Sequence, residues 1–163
     1  MNRLIIILVT LTMTGCFGKQ PEKTTLKGTK LPSFKLLLTD SVTYIDTKNV
    51  PNNKPVVMLY FGPHCPVSRA QLEDLINSMS FNKDINYYLL TTWPFLEMKK
   101  FYNDYQLYKY KNVTVGLDFK NFFPSYFNAP GVPYTAIYNK DRKLNDTYLG
   151  KVDSDVIIQV AER

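Results

Sequence analysis

Six consecutive apolar residues, Val56-Val57-Met58-Leu59-Tyr60-Phe61, run directly into Gly62-Pro63-His64-Cys65-Pro66. A run of that length, rich in β-formers and closed by Gly-Pro, reads as a central strand buried on both faces. Past the break, Leu72, Leu75, Ile76 and Met79 fall at i, i+3, i+4 and i+7, which is one face of a helix. Pro66 suits the first helical position, where a missing N–H costs nothing. Cys65 is thereby expected at, or just before, a helix N-terminus.

The rest of the chain extends this alternation. Residues 34–45 predict a short edge hairpin turning at Thr39-Asp40-Ser41, and residues 85–90 a further strand. Pro94 opens a second helix whose Met98, Phe101, Tyr102 and Tyr105 repeat the apolar spacing. Residues 113–117 read as a strand, followed by a short aromatic helical segment around 119–127. Residues 134–138 and 144–149 flank the turn Asn139-Lys140-Asp141-Arg142 as an antiparallel hairpin. A last helix, capped by Asp153 or Ser154, is expected to bury Val156, Ile157 and Val160. The expected class is α/β, a sandwich with a mixed central sheet flanked by helices.

Composition narrows the chemistry. With 163 residues, 45% hydrophobic and 14% aromatic, the chain has the length of one domain and enough apolar surface for a packed core, which excludes a disordered protein. One His and two Cys are too few for a Cys/His zinc cluster or a disulfide scaffold, so neither metal nor cofactor is expected. The net charge of +6 comes from scattered lysines, and the arginines, Arg3, Arg69, Arg142 and Arg163, do not cluster. That distribution reads as a solvated basic surface and argues against a nucleic-acid partner.

The first cysteine belongs to the N-terminus. Met1-Asn2-Arg3 precedes the apolar run Leu4-Ile5-Ile6-Ile7-Leu8-Val9, which is too short to span a bilayer and reads as an export signal over residues 1–15. Met13-Thr14-Gly15-Cys16 resembles the lipobox of bacterial lipoprotein precursors. The resemblance implies diacylglycerol on the Cys16 thiol, cleavage just before it and acylation of the new amine, which anchors the protein to a membrane of the cell envelope, facing the periplasm or the cell exterior. Residues 16–30 carry Lys19, Lys23, Lys27 and Lys30 without helical or strand period. They are expected to form a flexible tether with a reach of roughly 20 Å, leaving 31–163 as the folded domain.

Residues 54–61, then Cys65-Pro66-Val67-Ser68-Arg69-Ala70, then Gly131-Val132-Pro133-Tyr134 and on to Asp141 resemble the thioredoxin-like thiol-disulfide oxidoreductases that bacteria tether outside the cytoplasm. The likeness spans residues 31–163, with 68 positions between Cys65 and Pro133. It implies that Cys65 is the nucleophile, its thiol acidified by the helix N-terminus, with His64 and Arg69 as candidate sources of further positive charge. It also implies that Pro133 is a cis-proline facing Cys65, and that the backbone of Val132 pairs with a bound substrate strand. His64 stands where many relatives have Trp, on the surface that meets a partner.

Two departures limit what carries over. Ser68 replaces the resolving cysteine, so a mixed disulfide at Cys65 has no internal thiol to release it. Ser68 is expected either to donate a hydrogen bond to the Cys65 thiolate or to satisfy free N–H groups of the first turn. Gln71 replaces an acidic residue and cannot titrate. The sequence therefore predicts a monothiol protein that exchanges with exported protein or small-molecule thiols and disulfides; the alternative is a redox-inactive binding scaffold. A one-cysteine peroxidase is disfavoured because Gly62 and Met58 stand where peroxiredoxins place Thr and Pro. A role like that of monothiol glutaredoxins is disfavoured by Pro66-Val67.

Overall fold

The computed structural model describes residues 19–81 and 83–163; the expected export signal and the expected lipidation at Cys16 lie outside the described residues. The elements are β1 (Lys35–Leu38), β2 (Tyr44–Asp46), β3 (Val56–Tyr60), α1 (Pro66–Phe81), β4 (Asn86–Thr91), α2 (Phe95–Asp104), β5 (Val113–Leu117), α3 (Phe122–Phe127), β6 (Tyr134–Tyr138), β7 (Leu144–Leu149) and α4 (Ser154–Ala161). They build one sheet of order β2-β1-β5-β4-β3-β6-β7. β3, β4 and β5 pair in parallel, whereas β1, β2, β6 and β7 join antiparallel. The sheet is mixed, as the sequence predicts. No described helix is long and apolar enough to cross a membrane.

The unbroken apolar run of β3 has a simple cause. Successive side chains of a strand point to opposite faces, and both faces here are covered. Val57, Leu59 and Phe61 pack with Leu72 and Leu75 of α1, Met98 and Phe101 of α2, and Ile157 and Val160 of α4. Val56, Met58 and Tyr60 pack on the other side with Phe123 and Phe127 of α3 and with Phe34 and Leu36. All five residues of β3 are buried, and each large apolar side chain so buried contributes about 1.5–3 kcal/mol.

Two helix starts are held from a distance. The expected side-chain cap of α4 is corrected: Asp153 makes no side-chain cap hydrogen bond, and the carboxylate of Asp74 on α1 accepts from the Ser154 N–H at 2.8 Å. At α3, buried Asp118 accepts from the N–H groups of Phe122 and Phe123 at 3.0 and 2.7 Å. Each carboxylate meets N–H groups that the helix itself leaves unpaired.

The tether expectation is also corrected where the segment is described. Residues 22–31 run antiparallel beside β7, with Glu22 N–H on Thr147 O at 2.7 Å, Gly28 N–H on Leu144 O at 2.8 Å, Leu144 N–H on Thr29 O at 2.9 Å and Leu31 N–H on Arg142 O at 2.9 Å. Lys27 Nζ sits 2.6 Å from a carboxylate oxygen of buried Asp146, and Leu26 packs against the core. β7 ends the sheet order, so its outer N–H and C=O groups need partners. The backbone of this segment supplies them. Gly28, at φ +81°, makes the turn in a region that side chains disfavour.

Candidate active site

Just past β3, Phe61 packs against Phe101 of α2, the rings stacked at 4.4 Å. The chain then turns through 62–65, closed by Cys65 N–H donating to Gly62 O at 3.0 Å, and Cys65 O accepts from Arg69 N–H at 3.0 Å as the helix begins. Cys65 therefore stands just before α1, as predicted, and is half-buried. The loop before β6 faces it: the Val132–Pro133 peptide is cis, and the Cys65 thiol points at Val132 O across 3.7 Å. Cys65, Ser68, Val132 and Pro133 thus meet at one end of the sheet.

Space at this point is tight. A Cβ on Gly62 would lie 3.1 Å from Val132 Cγ2, 3.3 Å from the Trp93 ring and 3.4 Å from Cys65 Cβ. Gly62 lets three segments converge on the thiol. Trp93 is the site residue that the sequence reading missed. Its signal lay in the topology, since β4 runs parallel to β3 and both strands end at this edge.

Burial raises the Cys65 thiol pKa, but hydrogen bonds from the Ser68 backbone N–H, the Ser68 hydroxyl and the Val67 N–H outweigh it and leave the thiol below its ordinary value. These are the donors a helix start leaves free, joined by a hydroxyl. Ser68 is fully buried, and its Oγ accepts from Gly62 N–H at 3.2 Å. That bond ties the first turn of α1 to the loop before it.

The expected cationic help takes another form. His64 Nε2 lies 3.0 Å from Glu97 on α2, and Arg69 Nε donates to Pro63 O at 2.8 Å. Both side chains brace the 62–65 loop, and the thiol is acidified by hydrogen bonds from α1 instead. His64 and Val67 remain exposed beside Cys65.

Gln71 is equally specific in its place. Fully buried, it donates to Val152 O at 2.9 Å and accepts from Val152 N–H at 2.7 Å, tying α1 to the link between β7 and α4. Gln71→Ala is expected to cost about 1–3 kcal/mol, because it strands a buried polar pair. Denaturant unfolding checks the loss, and the pH profile of Cys65 reactivity should not move.

No family model and no curated protein matches the chain. Solved structures do. A protein from Chlorobium tepidum named as the thiol:disulfide interchange protein DsbE aligns at TM-score 0.68 and 16% identity, over 82% of this chain and 94% of its own. A secreted Mycobacterium tuberculosis disulfide oxidoreductase homologous to E. coli DsbE aligns at TM-score 0.63 and 20% identity, over 78% and 94%. The exposed lipoprotein thioredoxin Etrx1 of Streptococcus pneumoniae aligns at TM-score 0.61 and 20% identity, over 80% and 98%. At these identities the likeness establishes the architecture, and the chain has the thioredoxin-like fold.

Proposed function

We propose that this thioredoxin-like protein is a lipid-anchored monothiol of the cell envelope that exchanges with disulfides on exported proteins or small thiols through Cys65. The observation that carries the reading is the Cys65 sulfur itself, half-buried at a helix start, held below the ordinary thiol pKa and set against the Val132 carbonyl. The thiolate is the attacking form in disulfide exchange. It attacks one sulfur of a partner disulfide, forming the mixed disulfide and expelling the other sulfur as thiolate. Ser68 offers no second thiol, so an external thiol attacks the partner sulfur and Cys65 leaves as thiolate. Val132, Pro133 and His64 form the surface that a partner meets. The anchor is the acylated Cys16, and two or three acyl chains suffice for stable attachment.

Trapping tests both halves. Membranes alkylated rapidly and resolved without reductant are expected to show Cys65-dependent adducts that vanish with reductant and with Cys65→Ala. Recovery of the same partners with Cys65→Ala would make the protein a binding scaffold. Labelled palmitate should enter the wild-type chain and be lost with Cys16→Ala.

A further inference from the structure

The docked N-terminal segment has a direction. Its later end, Leu31, lies beside Arg142 at the turn between β6 and β7, and its earlier end, Glu22, lies beside Thr147. Still earlier, Lys19 reaches Gly150, where an added Cβ would lie 3.4 Å from the Lys19 ammonium. The Gly150 N–H donates to Pro133 O at 2.8 Å, and the neighbouring Val132 O faces the Cys65 sulfur. The chain therefore leaves the domain at the same end of the sheet as Cys65.

From Lys19 back to Cys16 there are three residues, a leash of roughly 10 Å at full extension. A domain of this size is about 40 Å across. The leash is too short for the domain to roll over and present its opposite end to the bilayer. That opposite end carries Lys54, Lys83, Lys109 and Lys111 around one cavity, the surface a freely tethered domain would turn toward anionic headgroups. Undocking the segment removes Lys27 from Asp146 and leaves that buried carboxylate with Arg163 at 3.4 Å, which is costly.

We propose that the anchored protein holds its Cys65 face toward the membrane that carries it, and that its partner is a disulfide held at that membrane's surface. This rests on the anchored thiol-exchange reading above.

The test uses the full lipidated chain in vesicles containing a phosphatidylethanolamine with a pyridyl disulfide on its headgroup. Cys65 thiolate attack links protein to lipid and expels pyridinethione. Each rate is divided by the rate with soluble dithiodipyridine. Cys65 is expected to react with the lipid at least tenfold faster, so normalised, than the thiol of a Lys111→Cys variant that also carries Cys65→Ser. Adding Leu26→Asp and Lys27→Glu, which undock the segment, should close that gap while leaving the soluble rate of Cys65 unchanged. Equal or reversed normalised rates in the docked chain overturn the orientation. Failure of the protein to float with the vesicles overturns the anchor, and failure of Cys65 to react with the soluble disulfide overturns exchange; either removes this proposal with it.

Discussion

Ser68→Cys is expected to turn a dead-end adduct into a completed cycle. Ser68 sits buried in the first turn of α1, three residues after Cys65, and its hydroxyl helps hold the Cys65 thiol below its ordinary pKa, so a sulfur at that position should meet the mixed disulfide from within the protein. The new thiolate attacks Cys65 Sγ, forms the internal disulfide and releases the partner's sulfur as thiolate. Intramolecular attack gains effective molarities of about 10⁵ M or more when well oriented, and a shortening of mixed-disulfide lifetime by at least roughly 100-fold is a modest share of that gain. With an aromatic disulfide reporter, the wild-type chain should release half of the reporter and keep the other half covalently bound. The variant should release both halves and keep none. Mass spectrometry under non-reducing conditions separates the outcomes, and a persistent adduct on the variant would show that position 68 does not face Cys65.

Phe61→Ala should be the most damaging single change near the site. Phe61 is fully buried, stacks on Phe101 and joins the end of β3 to the 62–65 loop. Removing a buried phenylalanine ring costs about 3–5 kcal/mol, a drop in melting temperature of roughly 10 °C for a chain of this length. The loop that brings the Ser68 hydroxyl, Gly62 and Cys65 together also loses its support, so the Cys65 reactivity profile should move toward higher pH. A loss below about 1 kcal/mol would mean that the strand-to-helix contact at Phe61 contributes little.

The parts of this fold that the sequence makes legible are those written in side-chain period. β3 is readable because both of its faces are covered, α1 because Leu72 and Leu75 share a buried face, and the β6–β7 hairpin because strand pattern flanks a turn. The placement of Cys65 before α1 follows from Pro66 in the same way. The facing of Cys65 and Pro133 needed the family resemblance, since no local pattern joins residues so far apart. What escaped is what side-chain pattern does not encode. Residues 22–31 dock through backbone hydrogen bonds on β7, so their composition resembles a loose tether. Asp74 and Asp118 cap helices from other elements or loops, and local capping rules look only next to the helix. His64 and Arg69 stand close to Cys65 in sequence, but their partners Glu97 and Pro63 depend on side-chain direction.

Thiol exchange at this site requires that the fold keep Cys65 a more acidic thiol than an ordinary cysteine. The direct measurement is the rate of Cys65 modification by a soluble disulfide as a function of pH, folded and in denaturant. Because the thiolate is the reactive form, the rate rises with pH through the thiol pKa. The folded chain should show a midpoint below that of the denatured chain, and Ser68→Ala should move it upward by removing one of the hydrogen bonds that lower it. A folded midpoint at or above the denatured one, unmoved by Ser68→Ala, would contradict the account.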